Sequence, residues 1–296
     1  MLTVTVTDRD GRYIADLRPE DFVVYEEDLP QALTYFNTGQ NEPVSLGLIV
    51  DTSGSMLRKM GRARQALRLL ADTVQSGDEV FLEAFDSTPI LVQDFTDSRA
   101  LVLQATAQLQ PSGGTALYDA VLDGLHRIQK GRCQKKALVV LTDGMDTASQ
   151  ASLDEVQAAI RGTSVLVYTI GIGNPNSVKV RGGVPMGPIG PMGGLNPMFR
   201  NRPPMVPSNQ ISDETVDART LQAISEETGA KHFLLNTADV LGNSAALERA
   251  ARSIVTELRQ QYSLGYRSPL KGDVYRDVRV ETRRDGVIVR TQKGVP

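Results

Sequence analysis

The sequence predicts a doubly wound α/β fold: a mostly parallel six-stranded sheet of order 3-2-1-4-5-6, joined to a small antiparallel β domain that both chain ends build together. Three observations carry this. From residue 44 to about residue 240, strand-length apolar runs alternate with amphipathic helical stripes, the pattern of a parallel sheet covered on both faces. Helix-start and helix-stop signals fall where that periodicity changes. The two ends, by contrast, are strand-rich and helix-poor.

Taken in chain order, the elements agree with that division. Leu2-Thr-Val-Thr-Val-Thr7 alternates at period two, Asp8-Arg-Asp-Gly11 reads as a turn, and 22–25 and 32–36 follow as strands. The α/β region supplies candidate strands at 45–50, 79–85, a short 90–93, 137–141, 164–170 and 232–235. Met60, Ala63, Ala66, Leu67, Leu70, Ala71 and Val74 share one helical stripe, as do Leu117, Ala120, Val121, Leu125 and Ile128. Ser152-Leu-Asp-Glu155 is a capping box that opens another helix, and Gly229 sits where the helix starting near Asp217 should stop. A long helix over 238–260, with Leu247, Ala251, Ile254 and Leu258 aligned, carries the chain back. Tyr262, Leu264 and Tyr266, then 274–280, a turn at Arg284-Asp-Gly286 and 287–289 complete the C-terminal strands. Two or three isolated strands are marginal in water, so the ends are expected to meet. The resulting boundaries are 1–41 and 261–296 for the β domain and 42–260 for the α/β domain. Within the latter, 174–210 is crowded with Gly, Pro and Met and is expected to be a loop leaving the carboxyl edge of the sheet.

Composition narrows the function. A chain of 296 residues accommodates one large and one modest domain. With 32 basic and 35 acidic residues and a formal charge of -3, it has no field that would gather nucleic acid or an anionic membrane. Its apolar runs are strand-length, far below the roughly 20 residues of a transmembrane helix. Cys133 is the only cysteine, which excludes an intrachain disulfide and a cysteine-based zinc or redox centre. Met1 leads straight into an alternating strand without a basic leader or apolar core, so the protein is expected either to be made without a secretion signal or to have had one trimmed.

The chemistry is concentrated at strand ends. The run Leu46-Gly-Leu-Ile-Val closes on Asp51, Ser53 and Ser55, one carboxylate and two hydroxyls at alternate positions. Gly113-Gly114-Thr115 opens a helix, and Thr142-Asp143-Gly144 closes the run 137–141. In the order 3-2-1-4-5-6 the first and fourth strands are neighbours, which brings Asp51 and Asp143 together at the switch point. Thr115 would close the third side, with Gly113 and Gly114 allowing close backbone approach. Five oxygens of this kind suit a hard divalent cation.

Asp-x-Ser-x-Ser, then a lone Thr, then a lone Asp resembles the metal-ion-dependent adhesion site of von Willebrand factor type A domains. Two further segments resemble the flanks found in bacterial members: Leu-x-x-Glu-Asp-Phe-x-Val-x-Glu at 17–26 and Gln-Tyr-x-Leu-Gly-Tyr at 261–266. The resemblance implies Ser53, Ser55 and Thr115 as direct ligands, with Asp51 and Asp143 holding ligating waters. It implies Mg²⁺, with Mn²⁺ and Ca²⁺ as alternatives, and a protein partner that fills the vacant corner with an Asp or Glu. It favours the bacterial envelope or an extracellular location. Oligomeric state and the partner's identity are not encoded.

Enzyme readings find little to stand on. His126 and His232 are the only histidines, Thr52-Ser-Gly-Ser55 does not match a Gly-x-Ser-x-Gly elbow, and no phosphate-binding glycine loop is present. Met186, Met192, Met198 and Met205 could in principle bind Cu(I), but scattered thioethers in a flexible segment read as linker. Asp119 reads as a first-turn acid favoured by the helix dipole, and Asp146 as either support for Asp143 or a solvated acid. Two functions of different class follow: a metal-dependent binding module, or a structural and assembly module whose metal site mainly stabilises and whose β domain makes the contacts. In the second, Asp213 and Glu214 are the acids nearest the loop that could fill the cup internally.

Overall fold

A strand sends alternate side chains to opposite faces, so a run apolar at every position has to be covered twice and an alternating run once. Both kinds are present in this chain, whose computed structural model describes residues 1–39, 42–173, 216–236, 245–269 and 275–295. The 174–210 segment with its four methionines, together with Asp213 and Glu214, lies outside the described residues.

The strands in chain order are β1 (Leu2–Asp8), β2 (Phe22–Glu26), β3 (Leu29–Gln31), β4 (Leu33–Asn37), β5 (Val44–Asp51), β6 (Glu79–Phe85), β7 (Pro89–Thr96), β8 (Lys135–Thr142), β9 (Leu166–Ile172), β10 (His232–Leu235), β11 (Tyr262–Tyr266), β12 (Arg276–Thr282), β13 (Val287–Arg290) and β14 (Gly294–Val295). The helices are α1 (Met60–Ala71), α2 (Arg99–Ala107), α3 (Leu117–Ile128), α4 (Leu153–Arg161), α5 (Ala218–Glu227) and α6 (Ala245–Gln260).

Six strands form the doubly covered sheet in the order β10-β9-β8-β5-β6-β7. Counted from β5 and read from the β7 edge this is 3-2-1-4-5-6, the predicted order. All pairs are parallel except β6 with the edge strand β7. Leu46, Leu48 and Val50 of β5 and Ala137, Val139 and Leu141 of β8 pack against α1, α2 and α6. Ile49, Leu138 and Val140 point the other way, against α3, α4 and α5. Gly124 lets α3 approach: a Cβ there would lie 2.3 Å from Ile49 Cδ1.

The capping box opens α4 as expected, with the Ser152 hydroxyl accepting from Glu155 N. Gly229, at φ +76°, follows the end of α5. The strand expected at 164–170 is displaced to Leu166–Ile172, and the short 90–93 extends to Pro89–Thr96. Helix α2 has no counterpart in the expected elements, because only Val102, Ala105 and Thr106 of its nine residues are buried. Residues 237–244, where the last helix was expected to begin, lie outside the described residues.

The chain ends form two four-stranded antiparallel sheets, β13-β1-β11-β4 and β14-β12-β2-β3. One core serves both, with Leu2, Val4, Val6, Phe22, Val24, Tyr262, Leu264, Val278 and Val280 buried between them. Each sheet mixes strands from the two ends, since β1 pairs with β11 and β13 and β2 pairs with β12. Tyr262 ties the mixture together: its hydroxyl donates to Ile14 O at 2.9 Å and accepts from Leu17 N at 3.0 Å. This β sandwich lies at the amino edge of the large sheet. There Pro43, Gly77, Lys135 and Ser164, beside the starts of the parallel strands, share a cleft of about 1020 Å³ with Met1, Thr3, Tyr35 and Ser263. The carboxyl edge is left to the loops that carry the candidate site.

Candidate metal centre

Asp51 ends β5, next to the end of β8, and it is fully buried. Its Oδ1 accepts from Ser53 N at 2.8 Å and its Oδ2 from the Thr142 hydroxyl at 2.6 Å. Burial pushes its pKa up to about 6; the Ser53 and Thr142 hydrogen bonds pull down and the nearby Asp143 pushes up further. Ser53 leads into a single 3₁₀ turn, Gly54–Met56, that turns its hydroxyl toward that of Ser55 at 3.0 Å. Asp143 directly follows β8, and its main-chain carbonyl accepts from Asp217 N at 3.0 Å.

Backbone hydrogen bonds stitch the three loops together. Ser112 N donates to Thr52 O at 2.7 Å and Gly54 N to Gly113 O at 3.2 Å. Thr147 N and Ala148 N donate to Thr115 O at 2.9 and 3.0 Å. The β6–β7 hairpin braces the same loop from outside: Ala116 N donates to Asp86 O at 2.6 Å and Gly114 N to Ser87 Oγ at 2.9 Å. Gly113 meets the requirement read from sequence, with φ +69°, which side chains rarely adopt, and with Ser87 Oγ and Asp86 Cγ only 2.9 and 3.2 Å from where a Cβ would lie.

Thr115 precedes α3 without capping it. Ala116 holds the N-cap position, and the first amides of the helix are satisfied from another loop: Asp146 Oδ1 accepts from Leu117 N at 2.9 Å and Ser149 Oγ from Tyr118 N at 3.0 Å. The Thr115 hydroxyl therefore has no capping duty, and it has no hydrogen-bond partner among the described residues. Asp119 is likewise engaged elsewhere, accepting from Gln150 N and Ala151 N.

One charged group at the site was not legible in the sequence. Lys59, 4% exposed, places its ammonium 3.1 Å from Asp143 Oδ2. Nothing in its spacing separates it from the solvated Arg58 beside it.

Two of the five candidate ligands, Ser53 and Ser55, have the spacing that a hard divalent cation accepts. Adjacent corners of an octahedron with bonds of about 2.1 Å are about 3.0 Å apart, which is the separation of the Ser53 and Ser55 hydroxyls. The same distance is a hydrogen bond, so the pair is also satisfied without an ion. Among the described residues no group of three or more His, Cys, Asp and Glu converges, so a cation here would depend on hydroxyls. Neither histidine is near: His126 is exposed in the last turn of α3, and His232 starts β10.

Residues 46–145 match the family model of the von Willebrand factor type A domain, and this span contains all five candidate ligands. Among solved structures, the chain is similar to the conserved hypothetical protein BatB from Bacteroides thetaiotaomicron, with 17% identity and a TM-score of 0.51 over 72% of this chain and 98% of that one. An aerotolerance-related membrane protein from Bacteroides fragilis gives 18% identity and a TM-score of 0.53, over 73% and 98%. A von Willebrand factor type A protein from Catenulispora acidiphila gives 16% and 0.53, over 83% of this chain and 51% of that one. At these identities the likeness is one of fold. No curated protein matches the sequence.

Proposed function

We propose, for a chain whose α/β unit is a von Willebrand factor type A domain, that it is a metal-dependent protein-binding module. Ser53, Ser55 and Thr115 would hold a divalent cation, Mg²⁺ first, with Asp51 and Asp143 positioning its waters. Such an ion supplies an electrophilic corner that attracts an Asp or Glu of a partner protein. The observation that carries this reading is Thr115, a residue 4% exposed beside three interlocked loops, whose hydroxyl is relieved of capping by Asp146 and Ser149. Asp51 contributes by orienting Ser53 through its amide and by adding negative charge in a dry environment, where the attraction for a dication is strong. No helix among the described residues is long and apolar enough to cross a membrane.

Thermal melts with Mg²⁺ or chelator test the reading. Mg²⁺ at 100 times its Kd should stabilise the parent by about 2.7 kcal/mol, and Ser53→Ala and Asp143→Ala should abolish the response. An Asp143→Ala variant that responds to Mg²⁺ as the parent does would overturn the site. A pull-down with and without the ion, comparing parent with Ser53→Ala, then tests partner capture. The second reading, a structural module with contacts through the β sandwich, draws on the Lys59–Asp143 pair, which compensates a carboxylate without any ion.

A further inference from the structure

We infer that Lys59 is an internal cation that meets part of the cup's demand for positive charge and thereby sets how tightly a divalent ion binds there; this rests on the reading of Asp51, Ser53, Ser55, Thr115 and Asp143 as the metal site. Lys59 stands between the 3₁₀ turn that carries Ser55 and the start of α1. Its backbone is pinned on both sides. The amide donates to Met56 O at 2.8 Å, and the carbonyl accepts from Arg62 N and Ala63 N at 2.9 and 3.1 Å.

The side chain runs inward to Asp143, with 4% of Lys59 and 2% of the Asp143 side chain exposed. Asp143 is its one ion-pair partner among the described residues. An ammonium out of water is costly unless it is paired, and Asp143 supplies that pairing here. Two anions, Asp51 and Asp143, thus share the cup with one fixed cation. An incoming dication would have to share Asp143 with the ammonium and would feel its repulsion across a low-dielectric gap.

Removing the ammonium therefore has effects of opposite sign on the two states of the protein. Without metal, Asp143 loses its counterion and the fold weakens. With metal, the repulsion is gone and the ion is held more tightly. A residue that merely packed the end of β8 would weaken both.

The test uses the full chain as parent, Lys59→Met, Lys59→Arg and Ser53→Ala, with Mn²⁺ titrated calorimetrically and melts recorded in chelator. Lys59→Met should melt lower than the parent in chelator yet bind Mn²⁺ roughly tenfold more tightly or better. Lys59→Arg, which keeps the charge, should stay near the parent. If Lys59→Met does not fold, Lys59→Gln gives the same reading, because it keeps a hydrogen-bond donor toward Asp143 without the charge. A parent that binds Mn²⁺ together with a neutral variant that binds it no better would overturn the inference and leave the proposed function intact. A parent that does not bind together with a neutral variant that does would uphold the inference and overturn the proposed function for the parent. If neither binds, both readings fail.

Discussion

Asp51 is a carboxylate with no exposed surface, held by one amide and one hydroxyl, and its pKa stands near 6 against an ordinary 3.8. Burial is the dominant cause, so the metal-free fold favours the protonated form more than the unfolded chain does, while above pH 6 the carboxylate is still mainly ionised. The sign follows. Native Asp51 holds its proton to higher pH than unfolded Asp51, so its contribution to stability is greatest below pH 4. It declines as pH rises from about 4 to 6 and stays at the lower level above that. A displacement of this size is worth on the order of 3 kcal/mol. In chelator, the melting temperature of the parent minus that of Asp51→Asn should therefore fall across pH 4 to 6, and a flat difference would refute the assignment. The group that creates this tension was readable from sequence, because a strand that ends in Asp-x-Ser-x-Ser advertises its oxygens. Lys59, which offsets the neighbouring carboxylate, was not readable. Its partner is 84 residues away at the end of β8, and a lysine just outside a helical stripe looks the same whether it is solvated or buried.

At the scale of the element, α3 shows how far local signals reach. Its apolar stripe, Leu117, Ala120, Val121, Leu125 and Ile128, is buried as the periodicity required. Its N-terminal amides, however, are satisfied by Asp146 and Ser149 from the loop before α4, and Ser149 Oγ also donates to Asp146 Oδ1 at 2.6 Å. A cap supplied from some 30 residues away has no sequence spacing to betray it, which is why Asp146 could be read as either metal support or a solvated acid. Strands β5 and β8 were legible for the opposite reason: every position of β5 and all of β8 but Lys136 are buried, and the hydrophobic run states this directly. Helix α2 escaped because three buried positions make a weak stripe. Asp146→Ala should cost about 1–2 kcal/mol in chemical denaturation, the usual value of a lost cap. It should also weaken Mg²⁺ binding, since the freed start of α3 carries Thr115. Loss of stability with unchanged ion affinity would separate the cap from the site.

Across the whole molecule, the β sandwich and the candidate site lie at opposite edges of the parallel sheet, so a partner held at the cup would sit on the face turned away from the chain ends. The union of the two units is concentrated at Glu257 of α6, which has no exposed surface. Its carboxylate accepts from Tyr13 at 3.1 Å and Tyr168 at 3.1 Å and pairs with Lys231 at 3.1 Å and Arg290 at 2.6 Å. Tyr13 and Arg290 belong to the sandwich side, Tyr168 to β9 and Lys231 to the approach to β10. Gln261 extends the same bridge, donating to Thr5 Oγ1 at 3.0 Å and Tyr168 OH at 3.2 Å. Removing the shared carboxylate takes one partner from two cations and two hydroxyls at once. Breaking a buried pair from one side typically costs about 3–5 kcal/mol. The lower end applies here, because Lys231 and Arg290 keep 32% and 24% of their side chains in solvent and can rehydrate. Glu257→Ala should lower the urea midpoint accordingly, followed by tyrosine fluorescence in a chain that has no tryptophan. The eight residues of β8, at about 3.3 Å each, separate the two edges, so Mn²⁺ affinity should not change. A variant that loses ion affinity in step with stability would show that the sandwich shapes the cup through the sheet rather than only anchoring it.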